Sequence, residues 1–175
     1  MIAAFGIARE VEPSVIKIDD SDVRGVHITR LLPDGSDRER GDRAKIMIGR
    51  SSGWPIVLAP PNEAVNLSLF TVSDTSQIKD LRPPETPRLE KIHKPNDLLG
   101  LAITEGIEDA LSIHAVTGLG AWAAGSASRM PALADKVPDY IDRVTIVMDR
   151  DPAGRRGATG LAEALSKRNI EIIIA

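Results

Sequence analysis

The sequence predicts an α/β protein in which a parallel sheet with flanking helices follows a smaller β-rich region. Residues 1–80 contain short apolar stretches separated by turn residues, and residues 81–99 are rich in proline and charge. Residues 100–175 alternate apolar strands with helical patterns, and strands that are apolar throughout are typical of a parallel sheet covered on both faces. We therefore expect a β-rich segment, a linker and an α/β domain, with these three ranges.

The β-rich segment contains four predicted strands. Residues 26–31, "VHITRL", alternate apolar and polar side chains and run into a Pro-Asp-Gly turn signal. Further apolar stretches predict strands at 44–49, 54–59 and 65–72. The charged residues 38–43, "RERGDR", are typical of a solvated hairpin loop, with contact to nucleic acid as the less favoured alternative. We find no catalytic motif in this segment.

Strands and helices alternate after the predicted linker. Apolar stretches predict strands at 101–104, 121–124, 144–148 and 170–175. Each pair of consecutive parallel strands requires a crossover connection, and such connections are right-handed. We therefore expect a helix between each pair of strands.

The helices are predicted from spacing and end signals. Residues 107–117 carry apolar side chains on one helical face, and Gly118 suits the position just after a helix. Ser126 is a candidate cap for a helix over 127–136. The next helix shows the spacing i, i+3, i+4, i+7 in Ala158, Leu161, Ala162 and Leu165.

Composition excludes several classes of protein. The 175 residues contain no cysteine, which excludes a disulfide scaffold and a zinc site built on cysteine. No stretch approaches the ~20 apolar residues of a membrane span, and the first residues do not resemble a signal peptide. We expect a cytoplasmic protein without membrane contact. Because the formal net charge is −3, binding to nucleic acid would require a local basic patch.

Three carboxylates follow two of the predicted strands. Glu105 comes directly after the strand at 101–104, and Asp149 and Asp151 follow the strand at 144–148. The carboxyl ends of parallel strands lie at one edge of a sheet, where ligands bind. Two residues apart in an extended chain, Asp149 and Asp151 point the same way. Like charges converging there would be relieved by a hard divalent cation with oxygen ligands, Mg²⁺ or Mn²⁺.

Other roles for these residues remain open. Asp151 followed by Pro152 is also a favourable helix start, with the aspartate as N-cap. Glu105 could be an ordinary polar residue at a strand end. The chain has neither a P-loop nor a G-x-G-x-x-G motif. Ser126 and Ser128 have no histidine at a motif spacing, so serine nucleophile chemistry is unsupported.

The strings "TEGIEDAL" and "VMDRDPAG" resemble the Toprim superfamily of primases, topoisomerases and related nucleases. The family pattern is Glu-Gly after the first strand and D-x-D-x-x-G after the third, here Glu105-Gly106 and Asp149-x-Asp151-x-x-Gly154. Residues 101–134 are similar to Toprim domains of primase–helicase proteins of phages, plasmids and mobile elements. In those proteins a β-rich segment like residues 25–61 commonly comes first.

The resemblance implies a Rossmann-like Toprim fold and metal-dependent phosphoryl transfer on nucleic acid, as primase-type primer synthesis in DNA replication. Asp149 and Asp151 would hold Mg²⁺ or Mn²⁺. Glu105 would be a ligand or the general acid/base, and Asp109 a further ligand. The implied partners are a single-stranded DNA template, nucleoside triphosphates, and a helicase or template-binding zinc module elsewhere. The expected phosphate contacts, at helix starts, are Arg155, Arg156, Gly106 and Gly154.

Several functions other than primer synthesis remain open. A Toprim nuclease would use the same metal site to cut phosphodiesters, and a non-catalytic nucleic-acid-binding module would keep only the fold. A phosphatase of the haloacid-dehalogenase type also places D-x-D after an apolar strand, but Pro152 departs from its pattern. A topoisomerase needs a catalytic tyrosine, and Tyr140, the only tyrosine, is predicted to lie in a turn.

Overall fold

The computed structural model describes residues 1–7, 9–12, 15–17, 19–41, 43–60, 62–63 and 99–175. The predicted strand at 65–72 and all but the last residue of the predicted linker 81–99 lie outside these ranges. The strands, in chain order, are β1 (Ile2–Gly6), β2 (Arg9–Glu12), β3 (Val15–Lys17), β4 (Val23–Thr29), β5 (Lys45–Gly49), β6 (Ile56–Ala59), β7 (Asn62–Glu63), β8 (Leu99–Thr104), β9 (Gly120–Ala123), β10 (Arg143–Val147) and β11 (Glu171–Ile174).

One mixed sheet runs through both the β-rich region and the α/β region. Its strand order is β11-β10-β8-β9-β6-β1-β4-β5, with β7 paired to the start of β8. Strands β8, β9, β10 and β11 pair in parallel, whereas β6, β1, β4 and β5 pair antiparallel. The two regions join where β6 pairs antiparallel with β9. The predicted fold class, a sheet with parallel strands and flanking helices plus a small β-rich region, is confirmed.

Helices cover both faces of the parallel part of the sheet. They are α1 (Ile107–Thr117), a 3-10 helix (Ala127–Lys136) and α2 (Pro152–Leu165). The first has the predicted bounds and ends at Gly118, which has φ of +71° and donates to the His114 carbonyl oxygen. Within the described residues, no helix combines the length and the apolar character needed to cross a membrane.

The helix predicted at 127–136 forms, but as a 3-10 helix. Pro131 lies inside it, and a proline ring has no N–H and clashes with the carbonyl four residues earlier in an α-helix. The expected side-chain cap at Ser126 is wrong, because Ser126 makes no capping hydrogen bond there. A Cβ on Gly157 of α2 would lie 2.4 Å from the Ala127 carbonyl oxygen, so that glycine lets the two helices pack closely.

Two apolar cores lie on opposite faces of the sheet. The larger core joins β8 and β10 to the 3-10 helix and α2, through residues that include Leu101, Ile103, Met130, Ile146 and Leu161. The smaller core packs α1 on β9, β6 and β1, through residues that include Phe5, Ile56, Ile107, Ala121 and Ala123. Helices therefore cover both faces of the parallel strands, and the ends of these strands stay open.

Candidate functional site

The ends of β8 and β10 bring acidic residues to one edge of the sheet. In the parallel register Val147 is paired with Thr104, the last residue of β8. Glu105 follows β8 directly, and Asp149 follows β10 after one further residue. The expectation that these strands end side by side is therefore confirmed by the backbone.

Backbone hydrogen bonds position Glu105. The hydroxyl of Thr104 donates to the Gly106 carbonyl oxygen over 2.6 Å. The N–H of Gly125, in the turn after β9, donates to the Glu105 carbonyl oxygen over 2.9 Å. These two bonds hold the strand end, so the half-buried Glu105 side chain leaves from a supported backbone.

Asp151 begins α2. Its carboxylate accepts a hydrogen bond of 2.7 Å from the Gly154 N–H, and Pro152 occupies the first turn. The interpretation of Asp151 as an N-cap is therefore confirmed. One carboxylate oxygen is used in that bond, and the other is available for a second role.

Gly154 allows α2 to start against Asp149. A Cβ on Gly154 would lie 2.4 Å from the Asp149 carbonyl oxygen and 2.9 Å from its Cβ. Any larger residue would push the helix start away from the strand end. The glycine of the D-x-D-x-x-G motif thus keeps the two aspartates and the helix N-terminus in one compact turn.

A loop from the β-rich region faces the acidic residues. The β4–β5 connection turns at Gly35, whose N–H donates to the Leu32 carbonyl oxygen over 2.8 Å and whose φ is +71°. Asp34 accepts from the Ser36 N–H and hydroxyl, which lowers the Asp34 pKa. The Pro-Asp-Gly turn signal is confirmed.

The two sets of residues line one cleft of about 490 Å³, which we call the acidic cleft. One wall comes from Glu105, Asp109 and Asp149, together with Gly106 and Glu108. The other wall comes from the β4–β5 hairpin and includes Arg38 and Lys45. Asp37 also belongs to this wall. An adjoining groove of about 600 Å³ is lined by the cationic Arg38, Arg40 and Lys45 and by the acidic Asp37 and Glu39, so cations outnumber acids along it.

Sequence reasoning missed this second wall. The sequence favours a solvated loop for the charges of 38–43, whereas Arg38 lines the cleft that contains the carboxylates. The available signal was a cationic run in a hairpin of an otherwise acidic chain. Nothing local to that run shows which part of the protein the hairpin will approach.

The electrostatics of the cleft are concentrated on Glu105. Partial burial raises the Glu105 pKa above its ordinary value, and the negative charges of Asp149 and Asp151 raise it further. A hydrogen bond from the Ala127 backbone and the charge of Lys45 partly oppose this effect. The charges of both aspartates and of the hairpin lysine therefore act on the Glu105 pKa, as expected if all four groups belong to one site.

The donor set suits a hard divalent cation. Carboxylate oxygens are the preferred ligands of Mg²⁺ and Mn²⁺, and the mutual repulsion that raises the Glu105 pKa is what such an ion would relieve. In the part of the chain that the structure describes, however, no three acidic or histidine side chains lie close enough together to hold a metal ion. Asp109 and Asp149 are exposed, so binding requires their side chains to turn toward Glu105.

The remaining predicted site residues surround the same turn. Arg155 is exposed, and its guanidinium donates to the Arg150 carbonyl oxygen over 2.8 Å. Arg156 is also exposed on the first turns of α2. Gly106 is the N-cap residue of α1, where a Cβ would lie 3.1 Å from an Asp109 carboxylate oxygen. Gly106 lines the acidic cleft, whereas Arg155 and Arg156 do not, and contact of these residues with phosphate stays a prediction.

Comparison with known families bears on the α/β region. Residues 100–175 match the Toprim domain. The match supports the Toprim superfamily for this part of the chain, which we call the Toprim region, and leaves the β-rich region outside. A Toprim domain implies metal-dependent processing of nucleic acid in general. The comparisons with curated proteins and with solved structures give no match.

Proposed function

We propose that this protein catalyses metal-dependent nucleotidyl transfer on nucleic acid, in the form of primase-type primer synthesis. The observation that carries the proposal is the acidic cleft itself. Carboxylates at the ends of two parallel strands form one wall, and cations on the β4–β5 hairpin form the other. Such a cleft can bind a divalent cation and polyanionic phosphates side by side.

Glu105, Asp149 and Asp109 are the residues that would hold Mg²⁺ or Mn²⁺, with Asp151 contributing the oxygen that the helix cap does not use. When bound, the ion would neutralise phosphate charge and the charge that develops during transfer. Asp151 thus has two compatible tasks, since capping α2 also fixes the turn that carries Asp149.

Glu105 is the proposed proton acceptor. In primer extension the 3′-hydroxyl oxygen bonds to the α-phosphorus of a nucleoside triphosphate, the bond to pyrophosphate breaks, and the hydroxyl proton moves to a base. A general base works best with a pKa near the operating pH. Burial, the largest cause of the shift and one that does not depend on the charge of the aspartates, raises the Glu105 pKa in that direction.

Arg38 and Lys45 are the proposed phosphate contacts of the opposite wall. They also line the adjoining groove, so a single strand lying along it could lead into the acidic cleft. Arginine binds phosphate through two parallel hydrogen bonds and lysine as a point charge. Arg155 and Arg156 at the start of α2 would add contacts, together with the helix N-terminus and the Gly106 and Gly154 turns.

The proposed partners are a single-stranded template and nucleoside triphosphates, with a helicase or template-binding module elsewhere. The hairpin of the β-rich region supplies a second wall that can place a single strand beside the acidic residues, as primer synthesis requires.

One assay tests the proposal. The protein is incubated with single-stranded DNA, nucleoside triphosphates and Mg²⁺ or Mn²⁺, and new oligonucleotides and degradation products are resolved on the same gel. We expect new oligonucleotides from the wild type and none from Glu105→Gln or Asp149→Asn. The matched control is Glu163→Gln, an exposed acid on α2 outside the acidic cleft, which should keep full activity.

Calorimetric titration with Mn²⁺ supplies the decisive contrary result. Absence of binding by the wild type would overturn the proposal. Degradation without synthesis, lost in the same two variants, would instead identify a nuclease that uses this site.

A further inference from the structure

A second cleft lies on the face of the sheet that carries the 3-10 helix. Its walls include Trp54 and Pro55 before β6, Val57 in β6, Trp122 in β9, and Lys136 and Pro138 at the end of the 3-10 helix. We call it the tryptophan cleft. Its volume is about 200 Å³, and it shares no lining residue with the acidic cleft.

Trp122 lines this cleft and carries an unpaired hydrogen-bond donor. The side chain is only 6% exposed, and among the described residues its indole N–H has no hydrogen-bond partner. A buried donor without a partner is costly, and nearly all such groups in folded proteins are paired. Because the nitrogen itself has almost no accessible surface, an acceptor atom of a ligand can pair with it only when the Trp122 ring shifts toward the cleft.

Trp54 brings aromatic surface with positive charge beside it. The Lys136 ammonium lies 4.2 Å from the centre of the Trp54 ring, and the Arg24 guanidinium lies 5.3 Å from it. Cations hold such positions over an indole by attraction to the ring face. Lysine has a long flexible stem, so its ammonium can move from the ring to an anionic group at the mouth.

We propose that the tryptophan cleft binds a single nucleobase that carries a phosphate. Two indoles form the walls that aromatic bases prefer. The Trp122 N–H would donate to a ring nitrogen or carbonyl oxygen of the base, and Asp135, which also lines the cleft, would accept from a base amino group. Lys136 would meet the phosphate. The site rests on these contacts and not on the proposed function.

The size of the cleft limits the ligand. Its roughly 200 Å³ is below the ~300–1,000 Å³ of sites that enclose drug-sized molecules. The cleft therefore admits one base and leaves the sugar and phosphate at the mouth. An apolar peptide side chain could also enter, but it would make no use of the cation beside the ring.

Intrinsic fluorescence tests the proposal directly, because the chain has two tryptophans and both line this cleft. The wild-type protein is titrated with adenosine monophosphate, adenosine, inorganic phosphate or a short single-stranded oligonucleotide. The buffer contains EDTA, so that no metal can hold nucleotide in the acidic cleft. We expect saturable quenching by the monophosphate, weaker binding of adenosine and no response to phosphate.

Variants assign the contacts. Trp122→Phe removes the N–H and keeps an aromatic ring, and it should weaken monophosphate binding by about fivefold. Lys136→Gln should weaken monophosphate binding by about three- to tenfold and leave adenosine binding unchanged. Lys167→Gln, an exposed lysine outside the cleft, is the matched control and should change neither.

The oligonucleotide distinguishes two ligands of the same chemistry, a base within a single strand and a free nucleotide. Quenching by the oligonucleotide that the monophosphate competes away supports a base of a single strand, and quenching by the monophosphate alone supports a free nucleotide. No quenching at millimolar concentrations, or quenching that Lys136→Gln leaves intact, overturns the proposal. Because Asp149→Asn should leave quenching unchanged, failure here is distinct from failure of the proposed catalysis.

Discussion

The two walls of the acidic cleft are built in different ways. The Toprim region holds Glu105 and Asp149 directly after buried strands, so their backbones are fixed by the sheet. The β-rich region holds Arg38 and Lys45 on a hairpin at the other end of the same sheet. Carboxylates on a fixed backbone suit metal binding and proton transfer, whereas cations on a hairpin suit the variable backbone of a nucleic acid. In the proposed function, chemistry therefore belongs to the first wall and binding to the second.

Glu105→Gln tests this division with the largest expected effect. Loss of a general base costs about 10²–10⁴-fold in rate, so kcat should fall by that amount. The affinity for single-stranded DNA, measured by fluorescence anisotropy, should stay unchanged because the hairpin is intact. A parallel fall in affinity would show that the two walls do not have separate tasks.

Gly154→Ala should be the most damaging exchange for stability. The added methyl would lie 2.4 Å from the Asp149 carbonyl oxygen, and such overpacking costs about 1–3 kcal/mol. Gly35→Ala is the comparison in the hairpin, since its φ is +71° and nothing lies within 4 Å. At Gly35 the cost of alanine comes only from the left-handed backbone conformation, which lowers the free energy of unfolding by roughly 1 kcal/mol. Urea unfolding measures both, and equal losses would contradict the close-packing role of Gly154.

Exchanges in the hairpin should have a smaller effect than Glu105→Gln. They should change the affinity for DNA and leave kcat unchanged, which is the reverse of the pattern expected for Glu105→Gln. Arg38→Gln and Lys45→Gln should each weaken binding of single-stranded DNA, and each should reduce the slope of log affinity against log salt by about 1. We expect kcat at saturating DNA to be unchanged. A salt slope equal to that of the wild type would exclude these residues as phosphate contacts.

His27 should produce the smallest effect, a pH dependence of stability in the β-rich region. His27 is 3% exposed; burial lowers its pKa, as do Lys45 and Arg129, while Glu108 opposes them. The unfolded chain therefore binds the proton more readily, and the free energy of unfolding should fall as the pH drops below about 6.5. Thermal unfolding across this range should show the fall, and His27→Gln should lessen it. The prediction would be wrong if the free energy of unfolding rose on acidification in the wild type and did so less in His27→Gln.

Much of the Toprim region could be predicted because its signals are local. The sequence predicts the helix at 107–117 with the observed bounds, and Asp151 followed by Pro152 predicts the start of α2, which the hydrogen bond from Gly154 confirms. Glu105 and Asp149 follow strands whose apolar runs identify them. Helix caps and strand ends depend on neighbours in the chain, so a single sequence contains them.

The 3-10 helix shows where local signals were incomplete. The spacing indicated a helix over 127–136, and Pro131 was present in the sequence. What prevents the α form is the proline ring, and the same segment must also fit against α2 at Gly157. The 3-10 form thus follows from Pro131, whereas the close packing of this helix on α2 depends on Gly157, which comes later in the chain.

By itself, the sequence determined the fold class, the strand ends that carry Glu105 and Asp149, and the metal chemistry that those carboxylates favour. Only the tertiary structure decided that β6 pairs with β9, that the β4–β5 hairpin faces the carboxylates, and that Trp54 and Trp122 meet in one cleft. The physical reason is the distance along the chain over which each signal acts. Hydrophobic periodicity and turn chemistry act over a few residues, whereas strand order and the meeting of distant loops depend on how two apolar cores close on opposite faces of one sheet.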